Sequence, residues 1–177
     1  PPDPRQVGAV IQRVLWTRGA DAARALYRAL PPALRDHPLC LIYQGELDLW
    51  MGAYADAERV FRAILERDRA ILWAWIGLGA SRMFQGELDD AQRVWERGRR
   101  ERRFEGTTLY AYRGECHRRQ GALAAARRDF RTALAQKVAE AVALAPSVET
   151  VLGVDLPRSL GSPLRWIVPF IRPKQTV

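Results

Sequence analysis

Apolar and small residues recur along this chain at helical spacing, most clearly from Trp75 to Gly98. Trp75, Leu78, Gly79 and Arg82 fall at i, i+3, i+4 and i+7, one face of a helix. Gly86 closes that helix, because the turn needs a residue tolerant of positive φ. Ala91, Trp95 and Gly98 then mark one side of a second helix. A large residue facing a small one is how two antiparallel helices approach closely. The arrangement recurs 35 residues on as Tyr110, Gly114, Gly121, Ala126, Phe130 and Ala133, and 34 residues back as Gly45, Gly52, Ala57 and Phe61. A worn copy comes first, with Gly19 33 residues before Gly52, and Ala23 and Tyr27 34 before Ala57 and Phe61.

The pattern predicts helices over about 5–17 and 20–30, 38–50 and 54–67, 70–84 and 88–102, and 107–119. A further helix starts near Ala122 and runs to about Ala145. Pro31-Pro32 is expected to break the chain, with Asp36 or His37 capping the next helix and Pro38 in its first turn. Pro146 stops the last long helix, a short helix follows from Ser147, and the prolines beyond Gly153 make the rest irregular. Within that segment residues 164–171 are apolar enough to need a surface to dock on.

The Trp-x2-Leu-Gly motif at Trp75, Leu78 and Gly79, followed by Gly86, Ala91, Trp95 and Gly98 with a period near 34, resembles the tetratricopeptide (TPR) repeat family. The likeness covers residues 6 to about 137. It implies an all-α fold, a right-handed α-solenoid of antiparallel helical hairpins. Four repeats follow, at about 5–36, 37–69, 70–104 and 105–137, the first degenerate. Residues 138–177 then form a C-terminal capping helix extension and an irregular, Pro-rich apolar tail.

TPR proteins bind ligands along the concave surface lined by the first helix of each pair. Carried over by register, that surface takes Arg13 and Trp16 from repeat 1, and Ile42, Glu46 and Trp50 from repeat 2. Repeat 3 supplies Trp73, Ile76, Ala80, Met83 and Phe84; repeat 4 supplies Thr108, Glu115, Arg118 and Arg119. Chaperone-binding members clamp a peptide carboxylate with Asn and basic residues. The matching places here hold Ile42, Glu46, Ala80 and Phe84, which argues against that ligand. An aromatic, apolar groove with Arg118 and Arg119 at one end suits an amphipathic helix or apolar peptide of another protein. The bland alternative is that these aromatics fill the space between repeats. The chain's own tail, or a second copy, is the other candidate occupant, although capping of the last helix is the favoured role of that tail.

Composition narrows the picture. The 177 residues are 48% hydrophobic and 27% charged, the balance of a folded protein. No apolar run approaches the ~20 residues of a membrane span. The chain starts at Pro1 without Met, which leaves open an upstream targeting or membrane segment. Cys40 and Cys116 lie two repeats apart, too far to bridge in this register, and reduced thiols fit the cytoplasm. The net charge is +8, and 93–131 alone, with twelve Arg against five acids, carries +7 of it. Arg97, Arg99, Arg100, Arg102 and Arg103 are its densest part. Part of that cluster answers a helix C-terminus; the sharper readings are an acidic partner, an anionic lipid surface or nucleic acid. Nucleic acid is the weakest, since no binding motif accompanies the charge.

His37 and His117 are the only histidines, and no metal, phosphate or dinucleotide motif is present, so neither catalysis nor a cofactor is expected. The function expected is a protein-binding scaffold. Family analogy alone suggests a bacterial assembly as its setting, with a membrane-associated secretion or biosynthesis complex as one form of it. The alternatives are an accessory domain of a larger enzyme or regulator, or an anionic-surface or nucleic-acid binder acting through 93–131.

Overall fold

The computed structural model describes residues 3–103 and 106–136. Those residues are all-helical, and the helices pack against one another. In order they are α1 (Pro4–Arg18), α2 (Ala20–Arg28), α3 (Pro32–Arg35), α4 (Pro38–Trp50), α5 (Tyr54–Arg67), α6 (Leu72–Phe84), α7 (Leu88–Arg102) and α8 (Thr107–Arg119), then α9 over 123–136. The chain divides into two compact units, one holding α1–α7 and the other α8 and α9. The expected extension to Ala145, the short helix after Ser147 and the apolar stretch 164–171 lie outside the described residues. Among the described residues no helix is long and apolar enough to cross a membrane.

Local chemistry sets the helix ends. Asp3 caps α1, its Oδ1 accepting from the Arg5 N–H at 2.9 Å, with Pro4 in the first turn. His37 caps α4 in the same way, Nδ1 accepting from the Leu39 N–H at 3.2 Å ahead of Pro38. The helices α4, α6 and α8 all end on the same turn. Ala53, Glu87 and Ala122 donate back five residues, to the carbonyls of Asp48, Arg82 and His117, at 2.8, 3.0 and 2.9 Å. The glycine preceding each donor makes that geometry open, as at Gly52 and Gly86, with φ of +77° and +87°.

Two expectations change. Pro31-Pro32 ends α2 but does not leave a bare break: Pro32 begins the four-residue α3. The Tyr27 hydroxyl holds it, donating to the Arg35 carbonyl at 2.7 Å. The helix expected from Ala70 begins at Leu72, because the Asp68 carboxylate takes the Ala70 N–H at 2.7 Å and keeps 68–71 as a turn.

In the first unit α4 packs on α5, α5 on α6 and α6 on α7, while α1 lies against α2 and α4. Aromatic rings seated on glycines make these approaches close. The Phe61 ring of α5 lies where β-carbons of Gly45 (α4) and Gly77 (α6) would stand. Trp95 of α7 does the same at Gly79, and its indole N–H donates to the Ile76 carbonyl at 3.1 Å. In the second unit Phe130 covers Gly114. Each of Gly45–Phe61, Gly79–Trp95 and Gly114–Phe130 spans sixteen residues. Ile11 and Tyr27, the same distance apart, meet in the cluster of the first two helices with Leu15, Ala23, Cys40 and Leu47.

Candidate functional site

The three helices α1, α4 and α6 form one row, since α4 packs against both others. On them the structure separates the expected groove residues into accessible and buried ones. Trp16 of α1 and Trp73 of α6 are each 53% exposed. Ile42 is half-buried. Trp50 is too, packed on the Ile11–Tyr27 cluster with its indole nitrogen enclosed, so it fills space between helices. Phe84 stacks on Tyr54 with ring centroids 5.1 Å apart.

Ile76, Ala80 and Met83 are a correction: all three are buried. The reason lies in α6 itself, which is buried at every position from Ala74 to Ser81. Beyond its exposed first turn the helix has no open apolar face there, so these residues belong to the core and line no accessible surface.

Glu46 is the unusual group in this row. Its residue is half-buried but its Oε1 is enclosed and has no hydrogen-bond partner. Burial pushes its carboxyl up to about 7, against the opposing pull of a hydrogen bond from Gln12. Tyr43, one turn back, is pushed up by burial and by the Glu46 charge. Because the fold raises this carboxyl above its unfolded value of 4.5, the folded state holds the proton more tightly. Stability is therefore unaffected by this group in acid, falls as pH rises from about 4.5 to about 7, and stays lower above that. Glu46→Gln is expected to raise stability by about 2–3 kcal/mol near pH 8 and to change little near pH 4. Thermal melts at the two pH values check this, and an equal effect at both contradicts it.

Arg118 and Arg119 lie in the second unit and are anchored on their own helix. Buried Glu115 accepts from Arg118 at 2.7 and 2.8 Å and from Arg119 at 2.9 Å. Burial pushes the Glu115 carboxyl up, but those hydrogen bonds and charges outweigh it and hold it below the usual range. The Arg118 side chain remains 56% exposed.

The two acids of the basic stretch that lie on α7 each hold two arginines. Arg97 pairs with Glu101 at 3.0 Å, and Arg99 and Arg100 reach Glu96 at 3.4 and 3.9 Å. Glu101 is also gripped by Arg69 at 3.0 and 2.6 Å, while Arg102 donates to the Arg69 carbonyl at 3.1 Å. Arg69 and Arg97 flank the Trp75 ring, 5.5 and 5.9 Å from its centroid. Arg103 is exposed and ends α7 in a left-handed conformation, φ +49°. Such surface pairs contribute little to stability, but they leave few free cations on α7 for a partner.

A feature absent from the sequence reading lies on the other side of α4. A groove of about 680 Å³ runs between α2 and α5, with Arg24, Arg28, Arg35, Arg59 and Arg67 around it. These arginines are scattered over forty-odd residues, so no local run announces them. The available signal was their spacing: Arg24 and Arg28, and Arg59, Ala63 and Arg67, recur at i+4 on the second helix of two successive pairs.

Among the described residues no group of three His, Cys, Asp or Glu side chains is placed to hold a metal ion. Cys40 and Cys116 are buried, and burial pushes the Cys40 thiol up. No protein-family model, curated protein or solved structure matches the chain.

Proposed function

We propose that this chain is a non-enzymatic protein-interaction scaffold of TPR-like repeats, which holds a helix or apolar peptide of a partner against the row formed by α1, α4 and α6. The repeat reading rests on the sixteen-residue glycine–aromatic contact and the shared closing turn, which recur with the period of the sequence pattern. On that reading the helix pairs stack as a right-handed solenoid, and the row is its concave face. The protein acts in the cytoplasm as a member of a larger assembly.

One observation carries the binding role: Trp16 and Trp73 stand 53% exposed on two helices that both pack against α4. Large exposed indoles are the side chains that dominate interface energetics when a partner buries them. Ile42, half-buried on α4, adds apolar surface to the same row.

The test is a Trp16→Ala/Trp73→Ala variant used as bait in lysate of the source organism, with and without nuclease. Both side chains are exposed, so its circular dichroism and melting are expected to match the wild type within about 1 kcal/mol. Loss of two anchors is expected to weaken a nuclease-resistant partner by about thirtyfold or more. Equal retention by the folded variant overturns the proposal, as does a partner set that nuclease removes.

A further inference from the structure

The groove between α2 and α5 carries charge that the fold does not use. It is lined by residues of α2, α4 and α5 and by Arg35 of α3. Two of its five arginines are matched. Arg24 pairs with buried Asp48 at 2.8 Å, and Arg59 pairs with Asp56. The other three have no carboxylate partner among the described residues: Arg28 makes no side-chain hydrogen bond, Arg35 donates only to the Arg28 carbonyl at 3.5 Å, and Arg67 only to the Asp36 carbonyl at 3.3 Å.

Arg35 is also held in place. The Tyr27 hydroxyl bonded to its carbonyl fixes α3 on α2, which fixes the backbone from which this side chain projects. Three cations from three different helices thus border one concavity, whose volume lies in the ~300–1,000 Å³ range of ligand pockets. The rest of the lining includes the apolar Leu41, Val60 and Ala63 together with Gln44 and the Arg-paired Asp48 and Asp56.

We propose that this groove is a second binding site, on a different face from the aromatic row, for an acidic peptide segment of a partner protein. Two or more Asp or Glu carboxylates pair with Arg28, Arg35 and Arg67, and an apolar side chain between them rests on Leu41, Val60 and Ala63. Guanidinium forks match carboxylates through paired, charge-assisted hydrogen bonds, and cations without an internal partner give up no existing pair to make them. The apolar lining is what favours a peptide over nucleic acid. Single-stranded nucleic acid stacks its bases on exposed aromatic rings, and the groove's one aromatic, Tyr27, is 4% exposed.

The experiment uses fluorescence anisotropy with the full chain and a short labelled peptide of alternating Glu and Leu, at low salt. The wild type is expected to bind it, and the same peptide with Gln for Glu is expected not to bind. Arg28→Glu/Arg67→Glu, both at exposed positions, is expected to keep its melting temperature and weaken binding by at least ~10-fold. Arg97→Glu/Arg100→Glu on α7 is expected to leave affinity within ~2-fold of wild type. Absence of wild-type binding overturns the proposal, as does an equal loss in the α7 variant. Displacement of the peptide by oligothymidylate at lower concentration than by unlabelled peptide also overturns it, in favour of nucleic acid.

Discussion

Gly79→Ala is expected to destabilise the first unit by about 2–4 kcal/mol, although alanine is the better helix former by ~1 kcal/mol. A β-carbon there would stand well inside 3.0 Å of the Trp95 indole nitrogen. That ring is 1% exposed and tied to the Ile76 carbonyl, so it has no free space to move into. Overpacking costs about 1–3 kcal/mol, and pulling a buried N–H off its acceptor costs a similar amount, which together exceed the propensity gain. The same substitution at Gly45, where the added carbon would lie 2.6 Å from the Phe61 ring, is expected to cost less. At Gly114, 2.9 Å from Phe130, it is expected to cost least. Chemical denaturation followed by circular dichroism gives the order. A Gly79→Ala protein as stable as wild type contradicts the seated-ring account of the helix contacts.

Arg113→Ala is expected to cost the second unit about 3–5 kcal/mol, because it leaves a buried charge behind. Arg113 grips Asp129 with two hydrogen bonds of 2.7 and 2.6 Å and lies 4.9 Å from the Tyr110 ring centroid. The Asp129 side chain is only 8% exposed, and the next basic side chain, His117, has its Nε2 3.6 Å away. Arg113→Lys is expected to recover part of the loss, since an ammonium cannot make the fork. Replacing both partners, as Arg113→Met/Asp129→Leu, is expected to return stability close to wild type, because no unpaired charge remains. Hydrogen exchange of α8 and α9 amides reads this unit separately. Unchanged protection in Arg113→Ala contradicts a structural role for the pair.

Much of the helix map is legible in the sequence because it is set by short-range chemistry. Pro38, Gly52, Gly86 and Gly121 mark ends that α4 to α8 respect closely. The aromatic–glycine partners were also legible, since a fixed offset between a large and a small residue needs no knowledge of the rest of the fold. Surface assignment was less legible. α6 is apolar almost all round, so no alternation separates a groove face from a core face, and Ile76 and Met83 went to the wrong one. Trp50 shows the same limit: register places it in the row, but packing on the Ile11–Tyr27 cluster decides its role. Charge counting along the chain drew attention to 93–131. That stretch keeps its surplus of arginine, but on α7 Glu96 and Glu101 engage several of them, whereas the unmatched arginines of the groove come together only when α2, α3 and α5 do.

On the proposed function, the exposed indoles of α1 and α6 meet a partner protein. Site-specific photocrosslinking in the source cells tests it most directly, with a benzophenone amino acid placed in turn at Trp16, Trp73 and, for comparison, exposed Arg93. The same discrete protein adduct is expected from positions 16 and 73, and none from position 93. Adducts from position 93 alone, or none at 16 and 73 in a protein that is folded and abundant, contradict it.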